Sequence, residues 1–155
     1  MSTSLTALDL RLAANAIFPN ALALTQDAQL AVIDRDWLAT AFAQSFYGEL
    51  AGMTPPWLFS LQGRKCSQYA LMAMAWAAEA YGELPDAQRI ADGSAFGLFD
   101  YTPDPGPDRH CRNIVYTQRG IEIWEPQWAN APASEQFCTL TETEKASCDL
   151  IFFGS

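Results

Sequence analysis

The chain has 155 residues, 50% of them hydrophobic and 17% charged, with 18 acidic side chains against 9 basic ones. A net charge of -9 leaves no Lys/Arg surface fit for phosphate, which excludes nucleic acid and anionic membrane as partners. Five tryptophans and an aromatic content of 12% exclude a disordered acidic tail, so a single domain over residues 1–155 is expected.

Leu5 to Ile17 carries apolar residues at helical spacing, and Phe18-Pro19-Asn20 ends the run because proline removes a donor. The segment has no basic n-region and is broken by Asp9, Arg11 and Asn15, so it is not expected to act as a signal peptide. Asp36 is placed to cap a second helix with Trp37, Leu38, Phe42, Phe46 and Leu50 on its apolar side, closing near Gly52. After the break at Pro55-Pro56, the nearly uncharged stretch from Arg64 to Tyr81 reads as a buried helix ending at Gly82. Met72, Met74 and Trp76 in it are core residues.

The second half changes period. Ala95 to Tyr101 reads as a strand, and a Pro/Gly/Asp loop follows from Pro103 to Asp108. His110 to Thr117 and Ile121 to Trp124 form a hairpin through Gln118-Arg119-Gly120, and Asp149 to Phe153 supplies a last strand. The acidic stretch Glu142 to Glu144 between Cys138 and Cys148 reads as a solvated loop. Helices over 1–82 followed by antiparallel strands over 95–155 make an α+β pattern. No run approaches the ~20 apolar residues of a membrane span. Without a CxxC pair the four cysteines suggest neither a zinc site nor a disulfide framework, so a reduced, cytoplasmic protein is expected.

The chemistry centres on the single histidine, His110. Cys66 lies where a loop becomes a buried helix, beside Arg64 and Lys65, and both the helix N-terminus and these cations favour a reactive thiolate. Alternation along the strand puts His110, Arg112, Ile114 and Tyr116 on one face, with Cys111 on the other as a packed thiol. Two hairpin registers are open. One sets Gln127 opposite Arg112 and Glu125 opposite Ile114; the other sets Gln127 opposite His110 and Glu125 opposite Arg112. Both keep Glu125 and Gln127 on the His110 face, and the second makes Glu125 a diagonal neighbour of the imidazole. A carboxylate there would fix the imidazole tautomer, the orienting part of a nucleophile–base–orienter triad. Trp124 and Trp128 bracket Glu125 and read as core packing, with the walls of a substrate groove as the alternative.

Gly63 to Ala70 around Cys66, the His-x-x-Asn run from His110 to Asn113 and Glu125-Pro126-Gln127 together resemble the papain-like cysteine peptidases. The likeness runs from Trp57 to Gln127 and is nearest to the C-terminal Cys-His-Glu peptidase domain of fungal chimeric lectins, with related small phage and bacterial domains. It implies a papain-like fold and a thiol hydrolase of peptide, isopeptide or amide bonds. Cys66 would be the nucleophile, His110 the base, Glu125 the orienter and Gln127 its support, with Gln62 the oxyanion candidate. The substrate would be a protein or peptide. No metal or cofactor is called for by the residues; calcium enters through the resemblance alone, and Asp100, Asp104 and Asp108 read as solvated loop acids. The alternative expectation is a non-catalytic acidic interaction or inhibitor protein of phage type, covering a host protein's basic surface on a papain-like scaffold.

Overall fold

The computed structural model describes residues 3–52 and 66–154. The first strand, β1 (Ser4–Thr6), leads into α1 (Ala7–Ile17), and two short strands follow, β2 (Leu22–Thr25) and β3 (Gln29–Ala31). Next come α2 (Arg35–Trp37), a π-helical turn (Leu38–Phe42) and α3 (Ala43–Gly52), and then the long α4 (Cys66–Gly82). The second half holds β4 (Gly93–Ser94), β5 (Phe96–Tyr101), β6 (His110–Thr117), β7 (Gly120–Trp124), β8 (Phe137–Cys138), α5 (Glu142–Ala146) and β9 (Leu150–Phe153). The chain is a mixed α+β protein built on a six-stranded sheet in the order β2-β9-β5-β6-β7-β8, beside a small sheet in the order β1-β3-β4.

Helices and strands do not separate at residue 82 as the periodicity suggests. Three strands lie within residues 1–82, and β2 runs parallel to β9, so the large sheet is not wholly antiparallel. Strands of three or four residues are too short to display an alternating pattern against the helical signal around them. The second helical segment is capped by Asp34 and not by Asp36: the Asp34 carboxylate accepts the Asp36 and Trp37 amides at 2.9 and 3.0 Å. The Glu142 to Glu144 stretch is helical, because Thr141 and Glu144 form a reciprocal capping box at its start. Among the described residues, no helix is long and apolar enough to cross a membrane.

Alternation gives the large sheet two apolar faces. On one, Phe99, Tyr101, Ile114, Ile123, Ile151 and Phe153 meet Leu10, Ala14 and Phe18 of α1 and its C-terminal cap. On the other, Phe96, Val115 and Trp124 meet Phe42 and Phe46, with Ala73 and Ala77 of α4 alongside. Trp124 is fully buried, its indole N–H donating to Gln136 at 2.9 Å, and the Gln136 amide donates onward to the Ala39 and Ala131 carbonyls. Alanines on α4 let its backbone approach the sheet closely. Asn113, fully buried on β6, spans the gap and donates to Ala70 O at 2.9 Å and Gly97 O at 3.0 Å. That tether holds the Cys66 end of α4 against β5 and β6.

Candidate functional site

The site is organised by the β6–β7 hairpin. Thr117 pairs with Gly120, Tyr116 with Ile121 and Asn113 with Trp124, the register that brings Glu125 beside Arg112; pairing stops at Trp124, and Gln127 lies in a 3-10 turn (Pro126–Trp128) and not on a strand opposite His110. The turn closes on Gln118-Arg119, and Gly120 sits at φ 95, in the left-handed region that suits glycine.

Glu125 is 1% exposed and densely bonded. Its Oε2 accepts from Arg112 Nε at 2.6 Å and lies 3.2 Å from His110 Nε2, while its Oε1 accepts the Gln127 amide at 3.1 Å. Burial would raise this carboxyl. Hydrogen bonds from His110 and the Gln127 amide, with the charge of Arg112, more than offset that and hold its pKa below the usual carboxylate range. The His110 ring also meets Tyr101 edge-on, with centroids 5.8 Å apart. Tyr101 is buried, and burial pushes its phenol up to about 12.

Cys66 opens α4 and is partly exposed; its Sγ accepts the Cys111 N–H at 3.1 Å. Cys66, His110 and Gln127 share the rim of an open cleft of about 1140 Å³. Leu98 and Leu150 line it as apolar patches, and Asp100, Asp108, Arg109 and Asp149 supply charge. Arg109 is held by Asp100 at 2.7 Å and Asp149 at 3.1 Å.

The structure thus brings Cys66, His110 and Gln127 to one cleft and sets Glu125 behind His110. Gln127 meets Glu125 through its backbone, leaving its side chain exposed. Gln62 lies outside the described residues. Cys111 is the packed thiol that alternation suggests, yet it also lines the cleft from the strand. Trp128 is not core: it is 45% exposed and stands over the Arg112 guanidinium, 5.6 Å from its ring centroid. Arg112 was the residue most open to discovery from sequence, since alternation had already put it on the His110 face. The Arg109–Asp100–Asp149 cluster draws on a distant strand start and has no local signature. Among the described residues, no group of three or more His, Cys, Asp or Glu side chains is arranged to hold a metal ion.

No protein-family model and no curated protein matches the chain. Solved structures do. One is the Polyporus squamosus lectin bound to the human-type influenza-binding epitope Neu5Aca2-6Galb1-4GlcNAc, with a TM-score of 0.63 at 17% identity. A second, described as the PSL1a-E64 complex, gives a TM-score of 0.65 at 15% identity. Each alignment covers 97% of this chain, but only 49% and 51% of the respective matched chains. The chain therefore spans about half the length of the proteins it resembles.

These matches overturn the identification as a papain-like cysteine peptidase, and with it the hydrolase and cysteine-protease function. They equally give no support to the phage-type interaction or inhibitor reading. The misleading signals have a structural origin. A thiol at a helix start, a histidine opening a strand and an acid set by hairpin register do not by themselves specify a peptidase, and here Glu125 makes its shortest contact with Arg112. At this level of identity, what is shared is the fold of about half of a fungal lectin chain.

Proposed function

We propose that the chain binds a carbohydrate in the cleft between the start of α4 and the His110 end of the sheet. The observation that carries this reading is the lining of the cleft. Sugars present hydroxyls that both donate and accept beside apolar C–H faces, and they call for planar polar side chains next to apolar walls. Asp100, Asp108 and Asp149 offer acceptors, Gln127 offers both roles, and Leu98 and Leu150 supply apolar wall. Beyond Gln127, the exposed indole of Trp128 is available for stacking. The shared fold with a lectin that was solved with a glycan adds to this support.

In this reading Cys66, His110 and Gln127 contact the sugar, while Glu125 and Arg112 hold His110 in place. The test is binding of the full chain to a panel of neutral, amino and sialylated oligosaccharides, followed by titration calorimetry on the best. Wild-type protein should bind at least one class, and Gln127→Ala and Asp149→Ala should each weaken it tenfold or more while keeping the native circular dichroism. A panel without a single binder, or variants that bind as tightly as wild type, would sink the reading.

A further inference from the structure

The cleft contains two sulfurs, and neither the fold likeness nor carbohydrate binding accounts for their being side by side. Cys66 approaches from the first residue of α4 and Cys111 from β6, and both line the same cavity. Their contact is direct: the Cys66 sulfur lies 3.1 Å from the Cys111 backbone nitrogen. A cysteine sulfur stands roughly 3–4 Å from its own backbone nitrogen by covalent geometry, so the two sulfurs are within about 7 Å of each other. Two cysteines so placed need only side-chain rotation and a modest shift to approach disulfide geometry. Cys138 is also partly exposed, but it does not line this cleft; Cys148 is fully buried.

We infer that Cys66 and Cys111 form a peroxide-reactive dithiol site, Cys66 taking the oxidant and Cys111 resolving it to an intramolecular disulfide. The two residues differ in the way this division of labour needs. Cys66 is partly open to the cleft, whereas Cys111 is 9% exposed. The Cys111 N–H donates to the Cys66 sulfur and so holds that sulfur against β6, beside the residue that resolves it.

The steps balance with a hydroperoxide as oxidant. The Cys66 sulfur attacks the distal peroxide oxygen, an S–O bond forms, the O–O bond breaks, and the thiol proton leaves with the departing alcohol or water. Cys66 is then a sulfenic acid. The Cys111 sulfur next attacks the Cys66 sulfur; the S–S bond forms, the S–O bond breaks, and the hydroxyl departs as water with the Cys111 proton. Two electrons pass from two thiols to one peroxide. Burial pushes the Cys111 thiol up to about 12, which makes the second step slow and lets the sulfenic acid build up first.

The experiment treats the folded full chain with hydrogen peroxide and follows it by intact mass and non-reducing peptide mapping, with dimedone in a parallel sample. The expected results are dimedone capture at Cys66 at early times, then loss of two hydrogen masses with a Cys66–Cys111 cross-linked peptide. Thioredoxin or dithiothreitol should restore the starting mass. A Cys138→Ser/Cys148→Ser double variant should form the same cross-link, and Cys111→Ser should stop at the sulfenic acid or proceed to sulfinic acid. The inference fails if wild-type Cys66 is oxidised to sulfinic acid without cross-linking. It also fails if the cross-link joins Cys138 or Cys148, or if Cys66 does not react under conditions that oxidise a free thiol peptide. The wild-type mapping decides the matter even if a variant does not fold, and none of these outcomes depends on whether the cleft binds sugar.

Discussion

Arg112 and Glu125 face each other across the β6–β7 hairpin, Arg112 Nε donating to Glu125 Oε2 at 2.6 Å with side chains 15% and 2% exposed. A pair this deep in the protein has given up its hydration, so its two members are worth far more together than either is alone. Removing one partner should leave an uncompensated charge. Glu125→Gln and Arg112→Met are each expected to cost about 3 kcal/mol. The double variant should lose less than the sum of the two, which a double-mutant cycle by urea unfolding would measure.

The same carboxylate sets an acid limb of stability. Its folded pKa is depressed, so the stabilisation is present above the unfolded value of 4.5 and is lost as pH falls through the lower folded value. Unfolding free energy should therefore fall as pH drops below about 4.5, and Glu125→Gln should flatten that decline. An unchanged slope in the variant would show that other carboxylates carry the limb.

At the alkaline end the sign reverses. Burial raises Cys111 and Cys148 from 9.0 to about 12, so their stabilisation is complete below pH 9 and fades as pH rises towards 12. Cys148→Ala should reduce the loss between those limits in chemical denaturation at fixed ionic strength, at the expense of some packing at neutral pH.

At Gly97 the backbone of β9 packs tightly against β5. A Cβ there would lie 2.3 Å from the Phe152 carbonyl oxygen and 2.9 Å from the Phe153 ring, and the first of these neighbours is backbone that cannot swing away. Gly97→Ala should destabilise the protein by about 3 kcal/mol through strand separation. Thermal unfolding reads the loss, and amide exchange should localise it to β5 and β9.

Asn113 joins the start of α4 to β5 through two donated hydrogen bonds, from a side chain with no access to solvent. Asn113→Ala would leave the Ala70 and Gly97 carbonyls without that donor, for an expected loss of about 2 kcal/mol. Since the tether holds the Cys66 end of α4 against the sheet, alkylation of Cys66 should change in rate as well, which a simple cavity elsewhere in the core would not produce.

The sequence carries part of this arrangement in its strand alternation. Strand alternation put His110, Arg112, Glu125 and Gln127 on one face, and one of the two open registers is the one observed. The choice between registers was not legible, because it turns on whether Thr117 joins the ladder opposite Gly120, and both turns use common residues. The capping box at Thr141 and Glu144 was readable, and was hidden by the acidity around it. What sequence could not supply was long-range assembly: β2 beside β9, Arg109 clasped between Asp100 and Asp149, and the Cys111 amide turned towards Cys66. Nor did local patterning disclose chemistry, since a thiol, an imidazole and a carboxylate in the expected order fitted a peptidase motif while the solved likenesses lie with a lectin.

The position of β9 between β2 and β5 has a consequence for the order of events on the ribosome. Leu22 pairs with Leu150 and Thr25 with Phe153, so β2 leaves the exit tunnel long before the strand it needs has been made. Until then β2 is an unsatisfied strand with Leu22 and Leu24 on a side that stays exposed even in the finished fold. Nascent chains stalled before residue 150 should therefore depend on chaperones more than those stalled well beyond it, and synthesis of β9 is what closes the sheet.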